Sequence, residues 1–313
     1  MKLSIVTTMY HSASYVEEFY SRVKSAAGRI TDDYEIIFVN DGSPDDSLDI
    51  AVSLYEKDPK VKVIDLSRNF GHHRAIMTGL MHAEGEKIFL INCDLEEAPE
   101  NLELFHGKLA ENPDSDVAYG MLKARKGGGL NRVFGQLFYM TLNFISDLDL
   151  DAKMAFSRVM TRRYVKSLLK YREKELFLPG LWHLTGYKQL PVDISSRHKG
   201  KTTYTVRRKL ALLINAVTSF SEKPLIYIFY AGLALSFVSG VFSLFIIINK
   251  IFFNAPILGW ASLIVSMWFI GGILILFMGI IGIYLSKVFV ETKRRPYSIV
   301  RKVYATRIKK DEP

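Results

Sequence analysis

The sequence contains a single cysteine, Cys93, among 313 residues. One thiol cannot form an intrachain disulfide, so the chain is not a disulfide-stabilised scaffold, and it suits a reducing compartment. The first residues lack a long apolar segment, so we expect no cleaved signal peptide. No internal repeat and no nucleic-acid-binding motif is evident. The net charge of +9 therefore points to anionic lipid or a phosphorylated substrate rather than to nucleic acid.

Charged residues are absent from two long stretches near the C-terminus. Residues 224–249 and 251–286 contain none, and only Lys250 separates them. A helix needs about 20 apolar residues to cross a bilayer. We therefore predict two transmembrane helices, at 225–248 and 260–285, within a segment that spans 224–286. The alternative is a hairpin buried in the core of a soluble domain.

Positive charge flanks this hairpin on both outer sides. Residues 196–223 contain seven Lys or Arg and one acid, and the apolar spacing predicts an amphipathic helix at 201–223 on an anionic membrane surface. An ordinary packed helix is the alternative. Residues 287–313 carry nine basic residues and three acids and are predicted to form a basic tail. The positive-inside rule then predicts a multi-pass protein of the plasma (inner) membrane, with both termini in the cytoplasm.

Within a predicted cytoplasmic domain at 1–200, residues 1–120 alternate strand-like and helix-like segments. Continuous apolar strands are predicted at 3–10, 34–40, 61–67, 87–93 and 116–122. This pattern indicates an α/β fold, with a mostly parallel sheet covered by helices on both faces. Ligands of such sheets bind beyond the carboxyl ends of the strands. We therefore expect a Rossmann-like cytoplasmic domain with its site at those ends.

Three polar motifs follow predicted strands: NDGS at 40–43, RNFG at 68–71 and NCDLE at 92–96. Asp41 can accept a hydrogen bond from a base N–H or a ribose hydroxyl. The acids of the third motif, Asp94 and Glu96, repel each other unless a cation or hydrogen-bond donors lie between them. The sequence therefore raises the question of which positive partner belongs at that strand end.

Together these motifs resemble a known family. Residues 4–12, 39–43 and 68–71, with Asp94, are similar to GT-A fold glycosyltransferases of family 2. Residues 198–225 and 291–296 resemble the juxtamembrane segment and tail of its polyprenyl-phosphate glycosyltransferases, the group of dolichol-phosphate mannose synthase and bacterial undecaprenyl-phosphate sugar transferases. The resemblance covers nearly the whole chain. It implies inverting transfer of one sugar from a nucleotide-sugar donor to polyprenyl phosphate, with a UDP-hexose as the first expectation, for surface glycan assembly or modification.

The resemblance also implies the roles of individual residues. The D-x-D motif that binds Mg²⁺ or Mn²⁺ in the family reads Asn92-Cys93-Asp94 here, so Asp94 is the main expected ligand, with Asn92 and Glu96 beside it. Donor-binding residues are expected to be Thr8, Tyr10, Asp41, Arg68, Asn92 and Asp94. Acceptor-phosphate-binding residues are expected to be Lys123, Arg125, Arg132, Arg158 and Arg197, and the catalytic residues Asp94, Arg125 and Arg132. Self-association through the membrane hairpin is implied as well.

The chain departs from the family pattern at two acids. The family's P-x-Y-N-E reads Thr8-Met9-Tyr10-His11-Ser12, and its G-D-F-R-L reads Ala155-Phe156-Ser157-Arg158-Val159. Two alternatives therefore stay open: a glycosyltransferase with another lipid or glycan acceptor, and a degenerate nucleotide-sugar-binding scaffold without turnover. A phosphate acceptor is already an anion and needs no strong general base, so the reaction tolerates such losses.

A pair of histidines opens the helix that follows the RNFG motif. His72 and His73 have no further set of metal-ligand residues nearby in the sequence. We interpret them as polar surface or as contacts to the donor, and not as a zinc site.

Overall fold

The computed structural model describes residues 2–123, 140–141, 143–145, 151, 153–174, 176–195, 214, 217–219, 221–253 and 259–306. The chain divides into two compact units. The first comprises residues 1–139, 149–204 and 295–313, and the second comprises residues 140–148 and 205–294. Most of the predicted amphipathic helix at 201–223 lies outside the described residues.

The first unit is built on a mixed sheet with the strand order β7-β5-β6-β4-β1-β2-β3-β8. Its described strands are β1 Leu3–Met9, β2 Tyr34–Asn40, β3 Val61–Leu66, β4 Lys87–Leu90, β5 Val117–Leu122, β6 Met154–Thr161, β7 Gln189–Ile194 and β8 Val300–Tyr304. The four strands β4, β1, β2 and β3 are mutually parallel. Their carboxyl ends therefore meet at one edge of the sheet, as the sequence predicts.

Helices connect these strands. They are α1 Val16–Gly28, α2 Ser47–Lys57, α3 His72–His82, α4 Asn101–Glu111, α5 Arg162–Leu168 and α6 Leu178–Leu184. On one face of the sheet, Phe38 of β2 contacts Phe19 of α1 at 5.9 Å between ring centroids, and Phe89 of β4 contacts Phe105 of α4 at 6.3 Å. Side chains alternate between faces along a strand, so the continuous apolar strands supply a core on both sides.

Helix α3 packs on the opposite face, and a glycine sets its distance from the sheet. A Cβ atom on Gly79 would lie 2.6 Å from Val6 Cγ1 and 2.9 Å from Val39 Cγ2. Only a residue without a side chain allows this close approach. The first turn of α3, which carries His72 and His73, is thereby held against the carboxyl ends of β1 and β2.

The predicted, mostly parallel α/β sheet is confirmed, and among the described strands β6 and β8 run against the common direction. Strand β6, which was not predicted, lies between β4 and β5 and runs antiparallel to both. Strand β5 therefore runs in the direction of the parallel block but is separated from it by β6. The sequence of β6 does not read as a buried strand because Ser157 and Arg158 interrupt its apolar residues, yet both are fully buried.

The predicted basic tail at 287–313 is also different in the structure. The preceding helix continues to Thr292, and residues 300–304 form β8, which pairs antiparallel with β3 at the sheet edge. Its alternating sequence, VRKVY, suits an edge strand with one solvated face. Arg301 donates to the carbonyl oxygen of Ser67 at 2.7 Å. Part of the charge assigned to a tail therefore belongs to the sheet.

The second unit contains two long apolar helices, α7 Lys223–Phe253 and α8 Trp260–Thr292. They include the predicted segments 225–248 and 260–285 and extend beyond them. Windows at Lys223–Phe242 and Ser266–Thr292 have mean hydropathies of 2.0 and 2.4, and none of either window is buried. In length and composition both helices are able to cross a membrane.

Polar contacts at one end of this unit join its segments. The hydroxyl of Tyr284 donates to the carbonyl oxygen of Ser221 at 2.7 Å, and Lys287 Nζ donates to Ser219 Oγ, also at 2.7 Å. Tyr284 and Lys287, near the C-terminal end of α8, thus contact the segment that precedes α7. A helix pair with polar ends and an apolar middle is typical of a membrane hairpin.

Candidate active site

The turn after β1 is held by a network of hydroxyl groups from the turn after β2. The backbone N–H of His11 donates to Ser43 Oγ at 2.8 Å, and that of Ala13 donates to Asp45 Oδ2 at 3.0 Å. The hydroxyls of Ser43 and Ser47 both donate to Asp45 Oδ1 at 2.5 Å. Burial alone would raise the pKa of Asp45, but these hydrogen bonds outweigh it and hold the pKa well below the ordinary value.

Asp41 has a structural role that the sequence did not reveal. Its Oδ1 accepts from the backbone N–H of Phe70 at 2.7 Å, and its Oδ2 accepts from that of Gly71 at 3.0 Å. The side chain is buried, and burial raises its pKa although both hydrogen bonds favour the ionised form. Asp41 therefore fixes the RNFG loop, and its donor-binding role stays a prediction.

The RNFG loop approaches the turn after β2 closely. A Cβ on Gly42 would lie 2.5 Å from backbone atoms of Arg68 and Asn69, and Gly42 has a φ of 63°. Glycine is thus required for two reasons, the left-handed conformation and the absence of space. The guanidinium of Arg68 lies 4.1 Å from the ring centroid of Phe70 and is solvent-exposed.

Tyr10 is presented to solvent at the same edge. Its ring is 48% exposed and meets His11 edge-on, with 4.6 Å between centroids. An exposed aromatic ring beside a strand end is a suitable stacking surface for a base. Tyr10 and Arg68 thus lie where a bound nucleotide was predicted, and their donor-binding roles stay predictions.

The turn after β4 carries the predicted metal ligands. Asp94 Oδ1 accepts from the backbone N–H of Glu96 at 3.1 Å, and the intervening Leu95 has a φ of 59°. Asn92 Oδ1 is buried and has no hydrogen-bond partner among the described residues. Because buried polar atoms are normally paired, this oxygen indicates a missing partner.

An electropositive ligand fits this turn. The described residues contain no group of three His, Cys, Asp or Glu side chains arranged to hold a metal. Magnesium needs fewer, since it binds through one or two carboxylates and takes its other ligands from phosphates and water. Asp94, the Asn92 carbonyl oxygen and Glu96 are the groups that could serve it.

Glu97 is a residue whose role sequence reasoning missed. Its Oε1 accepts from the backbone N–H of Phe156 at 2.9 Å, and its Oε2 accepts from that of Ser157 at 2.7 Å. The side chain is almost fully buried. Glu97 therefore ties the turn after β4 to the start of β6, and the only signal in the sequence is the density of acids between 94 and 100.

Of the predicted acceptor-phosphate residues, the structure describes Lys123 and Arg158. Lys123 is exposed at the end of β5, while Arg125, Arg132 and Arg197 lie outside the described residues. Arg158 is fully buried, and its guanidinium carbon lies 3.0 Å from the ring centroid of Trp182. Burial lowers its pKa to about 9. We correct the expectation for Arg158, because a guanidinium closed off from solvent has no access to a lipid headgroup.

The histidines at the start of α3 contact the same edge. His72 Nδ1 is 3.0 Å from Thr8 Oγ1, and the His72 ring lies 5.1 Å from that of Phe156. His73 Nδ1 is 2.8 Å from the carbonyl oxygen of Leu176. Desolvation lowers the pKa of both rings, so they are neutral near pH 7. Thr8, predicted to bind the donor, thus has His72 as its partner.

The parallel block, with its candidate site at the strand ends, and the antiparallel β6 give the chain a GT-A-like fold. Comparison with known sequences gives the family: residues 4–169 match Glycosyl transferase family 2, and the chain belongs to that family of enzymes.

Relatives align over almost their whole length. A chain of Mycobacterium tuberculosis (strain CDC 1551 / Oshkosh) named "Putative glycosyltransferases" is 50% identical over 100% of this chain and 91% of its own. The "Prophage bactoprenol glucosyl transferase homolog" of Escherichia coli (strain K12) is 30% identical over 97% of this chain and 99% of its own.

A solved structure agrees with the fold. Glucosyl-3-phosphoglycerate synthase from Mycobacterium tuberculosis, in complex with phosphoglyceric acid, superposes with a TM-score of 0.50. It is 14% identical and covers 70% of this chain and 80% of that one. At this identity the likeness shows the fold alone.

Proposed function

We propose that this enzyme transfers a single sugar, with inversion, from a nucleotide-sugar donor to polyprenyl phosphate at the cytoplasmic face of the membrane. The observation that carries the proposal is the extent of the match to the bactoprenol glucosyl transferase homologue, which covers 97% of this chain and therefore includes the two long apolar helices. A polyprenyl acceptor is a membrane lipid, so these helices would keep the enzyme where its acceptor resides.

The chemistry of the two substrates determines what the enzyme must supply. The acceptor phosphate is anionic at neutral pH and attacks the anomeric carbon without a strong base, which is consistent with the absence of an acid at Ser12 and Phe156. The enzyme must align the two substrates and stabilise the departing nucleoside diphosphate. Tyr10 and Arg68 are the exposed groups placed to bind the nucleotide.

Asp94, Asn92 and Glu96 would hold Mg²⁺ or Mn²⁺. When bound, the ion would neutralise charge on the donor diphosphate. The buried and unpaired Asn92 Oδ1 supports this assignment, because a cation would supply the partner that the described residues lack. An amide in place of the first acid lowers the negative charge of the site, so we expect weaker metal binding than at two carboxylates.

Basic groups would bind the acceptor headgroup. Lys123 is exposed at the end of β5, and Arg125, Arg132 and Arg197 are the further cations of the proposal. Charge-assisted hydrogen bonds to phosphate are the strong type, and arginine makes them in pairs. The positive charge that flanks both apolar helices would place the catalytic unit on the cytoplasmic side.

The test is reconstitution of the purified full-length protein with Mn²⁺, labelled UDP-glucose, UDP-N-acetylglucosamine or GDP-mannose, and undecaprenyl phosphate. We expect labelled product in the organic phase with one donor. Undecaprenol, which lacks the phosphate, should give none, and short soluble glycans should give none either. Product formed equally with undecaprenol, or only with a glycan, would overturn the assignment of the acceptor.

A further inference from the structure

The start of β6 lies beside the predicted metal turn. In the antiparallel pairing of β4 and β6, Leu90 is opposite Arg158. Phe156 lies two residues before Arg158 on β6, in the direction of the carboxyl end of β4. Glu97 strengthens this placement, since it accepts the backbone N–H of Phe156 at 2.9 Å. Phe156 therefore stands where the family pattern has an acid, next to the residues that would hold the donor diphosphate.

Phe156 packs against buried side chains. Its ring contacts Trp182 edge-on with 5.6 Å between centroids, and the guanidinium carbon of the fully buried Arg158 lies 3.0 Å from the Trp182 ring centroid. Trp182 itself is 2% exposed. Phe156 is partly exposed, so part of the residue is accessible beyond this packed support. A rigid aromatic face offers contact area at little cost in conformational entropy.

His72 extends this face on the other side. Its ring lies 5.1 Å from Phe156 and is inclined to it by 40°, and its Nδ1 lies 3.0 Å from Thr8 Oγ1. His72 as a residue lies at the surface, while desolvation by the groups packed around its ring lowers the pKa of the imidazole to about 4. Since the imidazole is neutral, it carries one proton. When the Thr8 hydroxyl donates to Nδ1, that proton is on Nε2, which makes Nε2 a hydrogen-bond donor.

We propose that His72 and Phe156 form the wall that binds the sugar ring of the donor, with Phe156 against its C–H face and His72 Nε2 donating to a ring hydroxyl. The wall is uncharged, so the ligand class is an uncharged hexopyranose. This inference rests on the proposed function, because it needs a nucleotide sugar at this edge of the sheet. Few polar groups on an apolar surface are the usual means of orienting such a ligand.

Binding of the donor tests the wall without any acceptor. Calorimetry on the full-length protein with Mn²⁺ compares UDP-glucose, UDP-N-acetylglucosamine and GDP-mannose with UDP and GDP. For the donor that the wild type binds best, His72→Ala and Phe156→Leu should each weaken binding by about tenfold, the effect of one lost hydrogen bond or packing contact. Affinity for the matching nucleoside diphosphate should stay within about twofold, which also shows that the variant is folded.

A histidine at the other end of the same helix serves as the control. His82 Nδ1 lies 2.8 Å from the carbonyl oxygen of Thr78, far along α3 from the wall. His82→Ala should change neither affinity. His72→Gln, which keeps a donor near the position of Nε2, should recover part of the loss. Equal weakening of nucleotide sugar and nucleoside diphosphate would overturn the proposal, as would a wild type that binds none of the three sugars. Neither result depends on whether polyprenyl phosphate is the acceptor.

Discussion

The turns after β2 and β4 lie at the same edge of the sheet, but they differ in how their polar groups are satisfied. After β2, both oxygens of Asp41 accept backbone N–H groups, and Asp45 accepts from two hydroxyls and from Ala13. After β4, Asn92 Oδ1 is buried without a partner among the described residues. The first turn builds the loops, whereas the second leaves a buried acceptor where the proposed cation would bind. The acids after β2 thus hold the loops in place, whereas those after β4 are proposed to bind a cation.

The largest expected effect is a loss of activity on changing the turn after β4. Asp94→Ala should lower kcat/KM for sugar transfer by at least about 1,000-fold, because it removes the main ligand of a charge-stabilising ion. The melting temperature should stay close to that of the wild type. Asp114→Asn changes an exposed acid between α4 and β5 and serves as the control. Unchanged turnover in Asp94→Ala would remove this residue from the mechanism.

The next effect is on stability. Asp41→Ala leaves the N–H groups of Phe70 and Gly71 without their acceptors, and an unpaired buried donor costs roughly 1–3 kcal/mol. Chemical unfolding of the catalytic unit should show this loss, together with weaker nucleotide binding as the RNFG loop loosens. Asp46→Ala is the matched control, since Asp46 is exposed in the same turn and its side chain makes no capping hydrogen bond. Equal stability of the two variants would contradict the assignment of Asp41 as the residue that fixes this loop.

A smaller effect depends on pH. The pKa of Asp45 is lower in the folded chain than its ordinary value near 3.9, so its stabilisation is complete above that value and is lost as the pH falls through the folded pKa. The difference in unfolding free energy between wild type and Asp45→Asn should therefore be constant from pH 7 to 5 and shrink below about pH 4. A difference that stays constant down to pH 3 would show that Asp45 is not held ionised by Ser43 and Ser47.

The smallest effect concerns the edge strand. Arg301 Nη1 lies 3.6 Å from Asp65 Oδ2, and Arg301 is largely exposed. Such pairs contribute about 0–1 kcal/mol, so Arg301→Gln should shift stability by no more than that. Lys302→Gln, on the same strand, is the control. A loss above about 2 kcal/mol would show that the end of β8 matters more to the sheet than a surface contact does.

The sequence predicts the parts of the fold that are coded locally. The continuous apolar segments of β1, β2 and β3 and the uncharged runs of α7 and α8 need no tertiary information to interpret. Strand β6 can be recognised only with tertiary information. The buried guanidinium of Arg158 is covered by Trp182, two dozen residues further along the chain. Strand β8 resembles a basic tail until the edge of β3 supplies its partner.

The candidate site also has parts that the local sequence predicts and parts that it does not. The motif letters locate Asp94 and the NDGS turn correctly, because both follow strands that can be recognised. They do not reveal that Asp41 accepts hydrogen bonds from a loop some 30 residues away. Nor do they reveal that Glu97 accepts hydrogen bonds from a strand some 60 residues away. These hydrogen bonds join segments that meet only after the sheet has formed. The buried Asn92 Oδ1 is likewise visible only in three dimensions.

The central claim is that a cation at the turn after β4 is needed for sugar transfer to the lipid. The most direct test removes the ion from the wild type: EDTA is added to the assay with undecaprenyl phosphate and the active donor, and Mn²⁺ is then restored in excess. The account predicts that labelled lipid falls to background with EDTA and returns with Mn²⁺. Transfer that continues at the same rate in excess EDTA would contradict it.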